Sequence, residues 1–327
     1  MNIKNTLKKT KLFIFYKEFR KEYFYFIIYP QRRRIVKSQS PEALIRHVWN
    51  QRRRGFALDL NNPKSFQEKM QWLKLYWYDN TVIQCANKYH VREYVVNKGL
   101  GFLLNDLFGV YKNPDEIDFD ILPDSFVLKT SHAGAQVIIC KNKAELNITR
   151  VKRILKKWLE LDYQYFSGEW CYASEKLIVC EKYLVNNNKD GLIDYKLFCF
   201  NGRVDCLFVT LERFGENKNR IWFDRNWNPL KIKVNDGSKN NRKVAKPDNF
   251  DKMVEYAEIL SKPFPFVRVD FYSVNNNIIF GELTFASDSG FNTYYPNEFE
   301  FELGNKLILP SKSIPNGWEV ILNAHKE

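Results

Sequence analysis

Arg268, Asp270, Glu282 and Thr284 stand in two apolar runs, 266–272 (FVRVDFY) and 278–285 (IIFGELTF), separated by Val274 and the triplet Asn275, Asn276, Asn277. Two alternating runs about a polar turn predict a β-hairpin. Side chains alternate with period two, so Arg268 and Asp270 share one face of the first strand, and Val267, Val269 and Phe271 the other. On the return strand Glu282 and Thr284 share a face, against Leu283 and Phe285. Two carboxylates on facing strands beside a guanidinium and a hydroxyl suit a Mg²⁺ and polyphosphate site, with hard oxygens for the metal and a cation for the phosphate. The same charges also suit a solvent face with cross-strand ion pairs.

One further group, a lysine at the end of a strand, has a type and position that suit nucleotide chemistry. Lys129 ends a strand-like run (SFVLK) just before the small-residue loop 130–135 (TSHAGA) and a second run (QVIICK), so its ammonium would meet a phosphate while loop amides close over others. An ordinary strand-turn-strand hairpin explains the same pattern. Asp194 and Lys196 lie on one face of DYKLFCF, which turns at Asn201-Gly202 and returns as RVDCLFVTLER, a strong hairpin signal. A charged cross-strand pair is the plain alternative there. Between these hairpins, KLIVCEKYLV (176–185) reads as a further strand.

The elements that must hold these groups follow from periodicity. Ser65 and Glu68 have capping-box spacing, with Phe66, Met70, Leu73 and Trp77 at helical intervals behind them. A second helix is predicted from about Thr81, with Val82, Cys85, Ala86, Tyr89 and Tyr94 on its buried side, stopping at Gly99. Lys88, His90 and Arg92 on it suit solvent as well as a site. Residues 149–166 predict one helix, with Val151, Ile154, Leu155, Trp158 and Leu159 inward and a solvated basic face outward. Residues 235–246 (NDGSKNNRKVAK) predict a flexible loop over or beside the cleft, and 248–262 a helix leading into the first hairpin.

Several of these segments, in this order, resemble the TupA-like branch of the ATP-grasp superfamily, found in bacterial teichuronopeptide and surface-polysaccharide clusters. The segments are SFQEKMQWLKLY, KYHVREYV, KLIVCEKYLV, DYKLFCF, FPFVRVDFY and FGELTFASDSGF, over about residues 65–310. The resemblance implies an α+β fold, two lobes of mostly antiparallel sheet with helices, plus a helical N-terminal region. It implies boundaries at 1–40, 41–124 (N-terminal lobe), 125–185 (small lobe with phosphate loop and hinge) and 186–327 (large lobe with the metal hairpin). Asp270 and Glu282 would bind Mg²⁺; Lys129, His132 and Gly134 would face the phosphates of ATP; Glu181, Lys182, Tyr183 and Leu184 would form the adenine hinge. Asp194 would hold a ribose hydroxyl, Lys196 a phosphate or acyl phosphate, and Arg268 the oxyanion. The acceptor would bind near Ser287, Asp288, Ser289 and Gly290. The implied activity joins a carboxylate to an amine at the expense of ATP. Members often carry Asn two residues after the Glu and several glycines in the phosphate loop, where this chain has Thr284 and Gly134 alone.

Composition bounds the rest. At 327 residues and 45% hydrophobic the chain buries a large core, and no internal repeat is visible. The six cysteines show no C-x-x-C spacing and read as reduced core thiols of a cytosolic protein, and the four scattered histidines offer no zinc motif. Of the net charge of +13, residues 1–54 carry +12. Their cations alternate with aromatics in runs too short to span a bilayer, which suits an interfacial helix on anionic lipid through residues 1–37, and places the protein on the inner face of the membrane. Docking on the protein's own body and nucleic-acid binding are the alternatives weighed, and nucleic acid is not expected. For the whole chain the rival functions are a glycosyltransferase in the same kind of pathway and a non-catalytic binding protein. Against the first, there is no D-x-D motif and no nucleotide-sugar fingerprint.

Overall fold

Twelve strands and ten α-helices carry the chain in a computed structural model that describes residues 27–53, 55–186, 191–211 and 219–324. The strands are β1 (Leu107–Tyr111), β2 (Phe126–Thr130), β3 (Val137–Cys140), β4 (Ile178–Lys182), β5 (Asp194–Phe200), β6 (Arg203–Leu211), β7 (Asn219–Asp224), β8 (Pro229–Leu230), β9 (Lys233–Val234), β10 (Phe266–Val274), β11 (Asn277–Thr284) and β12 (Tyr294–Tyr295). The first four form a small sheet in the order β1-β4-β2-β3. Six others form the large sheet, β11-β10-β5-β6-β7-β8, with β10 between the strands that carry Glu282 and Lys196. Every pairing of the named strands is antiparallel. The architecture is α+β, with two sheets and a helical N-terminal region.

Alternation decides which core each strand serves. Val267, Val269 and Phe271 of β10 face a core shared with Leu197 and Val209 and with the N-terminal helices α1 (Tyr29–Ser38) and α2 (Pro41–Arg52) through Val36, Leu44 and Trp49. The opposite face of the same sheet is aromatic at one end, where Phe198, Phe200 and Phe266 meet Phe66 at ring-centroid separations of 5.0 to 6.1 Å. Contacts of this kind contribute about 0.5–1.5 kcal/mol each beyond burial. They seat the helix α3 (Phe66–Tyr76), whose Ser65–Glu68 capping box forms as the spacing predicts. The small sheet has its own core of Phe126, Leu128, Ile178 and Cys180, with Leu155 and Trp158 from a later helix. All six cysteines are buried and unbridged.

Two predicted helices are interrupted. The second is α4 (Asn80–Ala86) and α5 (Val91–Asn97), broken at Asn87. The Asn87 side-chain oxygen accepts from the Tyr89 and His90 amides, and its amide nitrogen donates to Ser131 and to the Glu175 carbonyl. A buried Asn that satisfies local amides in this way competes with the helix ladder. The basic helix is α6 (Ile148–Leu159), followed by the separate turn α7 (Gln164–Ser167). Between them, Asp162 is held by Lys176 at 2.7 Å and by Tyr29 of α1. The chain closes with α8 (Phe250–Ser261), leading into β10, then α9 (Glu298–Lys306) and α10 (Gly317–Ala324).

The described part of the basic N-terminal segment lies on the protein body. Val36 and Arg32 are buried, and Arg32 donates to the Phe166 carbonyl. The predicted interfacial residues 1–26 lie outside the described residues. No helix among the described residues is long and apolar enough to cross a membrane.

Candidate active site

Three rows of side chains cross the large sheet on one face. The register aligns Ile279, Tyr272 and Asp194 in the first row, Glu282, Asp270 and Lys196 in the second, and Thr284, Arg268 and Phe198 in the third. Successive rows are about 7 Å apart, two residues of extended strand. The second and third rows close into a network. Arg268 donates to Asp270 through Nε at 2.7 Å and a terminal nitrogen at 2.8 Å, and also to Glu282 at 3.1 Å, Thr284 at 3.0 Å and Ser287 at 3.1 Å. Lys196 bridges Asp270 and Asp194, the latter at 2.8 Å. Thr284 donates to Glu282 at 3.0 Å.

Burial makes these charges matter. Asp270 is 1% exposed and Arg268 6%. Removal from water pushes the Asp270 carboxyl above its ordinary value, with Glu282 adding to the effect, against the pull of Arg268 and Lys196. Burial works to lower the Arg268 guanidinium, but Asp270, Glu282 and Asp288 hold it above its ordinary range. The arrangement is a dense set of buried, mutually neutralising charges with one edge, Glu282, partly open to solvent.

Glu282 meets Asp270 because of a bulge. Asp270 pairs with Glu282 but the next residue, Phe271, pairs with Phe280, so Gly281 is the extra residue. A Cβ at Gly281 would lie 2.9 Å from the Asp270 carbonyl oxygen, a distance that forces the strands apart. Glycine there keeps the two carboxylates opposite each other.

The small sheet supplies the predicted hinge and loop. Lys129 donates to Glu181 at 2.7 Å, and Arg92 lies 3.7 Å from the same carboxylate. Lys182 is exposed and paired with Asp106, while Tyr183 and Leu184 are half-buried. In the loop, Gly134 is half-buried against the Tyr163 hydroxyl, and Lys88 donates to the Ala133 carbonyl. Tyr163 packs edge-on against Tyr172, whose hydroxyl is raised by burial and by Glu169, Cys171 and Glu282. His132 sits differently from its neighbours: it is fully buried, its Nε2 on the Leu161 carbonyl at 3.1 Å. Its pKa falls to about 4 through burial and the nearby Lys176 and Lys88, so it is a neutral interior imidazole.

Ser287, Asp288, Ser289 and Gly290 follow β11 as one tight turn with three consecutive left-handed residues, Asp288 (φ 48°), Ser289 (φ 57°) and Gly290 (φ 66°). Left-handed non-glycine residues each cost about 1–3 kcal/mol and persist where surroundings impose them. Here α3 imposes them. Gln71 donates to the Gly290 carbonyl at 2.6 Å, Gln67 to Asn292 at 3.0 Å, and Lys74 to Ser289 at 2.6 Å, Ser167 at 2.9 Å and Gln71 at 3.1 Å. A Cβ on Gly290 would lie 2.5 Å from the Gln71 amide nitrogen, so glycine fits that contact as well as the φ. Lys74, 4% exposed, sits 4.5 Å from the Phe291 ring centre and near Glu169, which is itself bonded by Ser167. Sequence reading missed Lys74, Gln71 and Glu169. The signal for the first two is a polar stripe, Gln67, Gln71 and Lys74, running beside the apolar stripe of α3.

A cavity of about 810 Å³ lies between the end of β4 and the tip of the β10–β11 hairpin, lined by Tyr183, Leu184, Val185, Asn249, Tyr256 and Ile279 among others. Ile279 stands in the first row, one step from Glu282, so the cavity leads toward the charged rows without including them. In its wall the buried Asn249 side-chain oxygen has no hydrogen-bond partner, although the amide nitrogen donates to Ser273 and Asn276. No cluster of three or more His, Cys, Asp or Glu suited to a metal occurs among the described residues. The available set is the Asp270 and Glu282 pair, and one or two carboxylates completed by phosphate oxygens is how Mg²⁺ is usually held.

None of the curated proteins matches this sequence. Among solved structures, D-alanine-D-alanine ligase from Bacillus anthracis is similar at 15% identity and a TM-score of 0.44, over 79% of this chain and 76% of that one. The Helicobacter pylori D-alanine-D-alanine ligase is similar at 16% identity and 0.41, over 76% and 70%. An ADP complex of N5-carboxyaminoimidazole ribonucleotide synthetase is similar at 13% identity and 0.40, over 75% and 56%. The model of the TupA-like ATP-grasp family matches residues 68–308, from α3 through α9 and so across both sheets, the bulged hairpin and the left-handed turn: the chain belongs to the TupA-like ATP-grasp family.

Proposed function

We propose that this protein is an ATP-dependent ligase that joins a carboxylate to an amine. The observation that carries the reading is the row of Glu282, Asp270 and Lys196, its last two members buried, with Arg268 beside it, on a sheet face approached from the cavity next to Tyr183 and Leu184. When bound, Mg-ATP supplies the phosphoryl group that activates the carboxylate. Asp270 and Glu282 would hold the metal, and Lys196 and Lys129 would hold phosphate oxygens. Arg268, already aimed across the row by five hydrogen bonds, would stabilise oxyanion charge at the reacting carbonyl. The backbone after Glu181 would receive the edge of adenine, with Leu184 and Ile279 covering its faces. Asp194, one row from Asp270, would take a ribose hydroxyl.

The test is thermal denaturation with ATP, with and without Mg²⁺. A ligand at 100 times its Kd stabilises by about 2.7 kcal/mol, so a clear Mg²⁺-dependent rise in Tm is expected. No rise at millimolar Mg-ATP would remove the reading. We propose further that the carboxylate is a uronic acid or peptide of a bacterial surface polysaccharide, as the family resemblance implies. ADP release with uronic acids and amino acids, and none with nucleotide sugars, is the supporting result; UDP release instead would identify a sugar transferase.

Residues 1–26 carry seven Lys/Arg against two Asp/Glu among eight aromatics, which suits attachment to an anionic membrane surface where such substrates are assembled. Since residues 29–38 pack on the body, truncation at residue 26 is the informative cut. Co-sedimentation with anionic vesicles should be lost on truncation and weakened by salt. Equal sedimentation of both proteins, or none of either, counts against it.

A further inference from the structure

Arg220 lies outside the rows described so far, yet on the same face of the same sheet. On β7 it pairs with Thr210, which pairs with Asp194, so it extends the first row by two strands. It is 5% exposed and rests on the Phe208 ring, its guanidinium carbon 4.2 Å from the ring centre. The Arg268 guanidinium lies 6.0 Å from the centre of that same ring. One phenyl group therefore carries both cations.

The charge of Arg220 is met by carboxylates that are not part of the sheet. Asp288, in the left-handed turn, engages its two terminal nitrogens at 2.9 and 3.4 Å, and Asp236, from the loop after β9, lies at 3.1 Å. Its Nε is buried and has no hydrogen-bond partner. The two aspartates retain 30% and 16% side-chain exposure, whereas the arginine is enclosed. A buried ion pair is a weak source of stability compared with apolar packing, and the side chains Phe208 and Trp222 beside it are aromatic, so packing alone gives no reason for an arginine here. Asp288 instead shows what the guanidinium fork receives: a carboxylate, bound by two nitrogens at once.

Resting on the ligase reading above, we propose that Arg220 recognises a non-reacting carboxylate of the amine substrate, which displaces Asp288 from the fork, so that the amine is of the amino-acid class. The two guanidinium groups would then divide the work, Arg220 taking this anion and Arg268 the reacting carbonyl. Lysine would keep the charge but lose the fork.

The experiment is calorimetry on the full chain loaded with Mg²⁺ and a non-hydrolysable ATP analogue. The titrants are the common L-amino acids with D-alanine and D-glutamate, each compared with its decarboxylated amine. The wild type should prefer a carboxylate-bearing amine by on the order of 100-fold. Arg220→Gln should erase the preference, Arg220→Lys should keep part of it, and Asp288→Asn should tighten binding by removing the competitor. All three should still bind the nucleotide analogue, which shows that they fold. A nucleotide-loaded wild type that binds no amino acid, or binds acid and decarboxylated amine alike, overturns the proposal, as does an Arg220→Gln variant that retains the preference. Failure to bind nucleotide at all overturns the ligase reading itself, and this proposal with it.

Discussion

Asp270→Asn and Glu282→Gln each reduce ATP-dependent turnover by about 10³-fold or more, the scale seen when a principal electrostatic stabiliser or metal ligand is removed. The two variants should differ in stability. Asp270 is the shared acceptor of Arg268 and Lys196 in the interior, and neutralising it leaves two buried cations with reduced compensation. Breaking a buried pair in this way costs about 3–5 kcal/mol, although asparagine keeps one acceptor oxygen and part of the geometry. Glu282 is partly exposed and meets Arg268 and Thr284 at the edge of the network, so its variant should fold nearly as well as wild type. Glu282→Gln is accordingly the cleaner test. ADP release measured alongside circular dichroism and Mg²⁺-dependent stabilisation by ATP separates chemistry from folding. Near-normal turnover in a folded Glu282→Gln protein would make these carboxylates members of an ion-pair network and nothing more.

The hairpin was legible because its signal is local. Alternation alone assigns Arg268 and Asp270 to one face and Val267, Val269 and Phe271 to the other, and the structure has that division. The bulge at Gly281 was not legible, since one extra residue changes the partner of every later position without altering the apolar pattern much. The interrupted helices failed for a related reason. Asn87 and Asp162 look tolerable inside helical periodicity, and only their distant partners, Ser131 and Glu175 for one and Tyr29 and Lys176 for the other, show why the ladder stops there.

His132 and Lys74 show the same limit from opposite sides. A histidine in a small-residue loop invites a ligand, but the loop turns it inward onto Leu161. A lysine on an amphipathic helix reads as solvated, but α3 is covered by the left-handed turn on that side. Arg220 is the second residue of its strand, with no apolar alternation before it to mark its face. In each case the sequence specifies the element, and the environment depends on what packs over it.

Lys74 gives the second large effect, and it has a definite pH signature. Burial lowers its pKa from 10.5 to about 8, against the attraction of Glu169. Below pH 8 the ammonium is charged both folded and unfolded, and the fold bears the full cost of enclosing it, about 3 kcal/mol at 1.36 kcal/mol per unit. Between pH 8 and 10.5 the unfolded chain binds more protons than the folded one, so this contribution to stability rises with pH. Buried thiols and phenols such as Cys171 and Tyr172 titrate with the opposite sign, because their acidities are suppressed in the fold, so the wild type alone would not show the effect. Comparison with Lys74→Met isolates it. The stability difference, wild type minus variant, should move toward the wild type by about 3 kcal/mol between pH 7 and 10.5 in urea unfolding, and a flat difference would mean that the lysine is solvated. The variant should also free the Ser289 and Ser167 carbonyls, at about 1–3 kcal/mol for each acceptor left unmet, and so loosen the turn that carries Asp288. The expected kinetic result is a raised KM for the amine substrate with Mg-ATP binding retained. Loss of nucleotide binding along with the amine would instead place Lys74 in the general stability of the fold, with no particular hold on the acceptor turn.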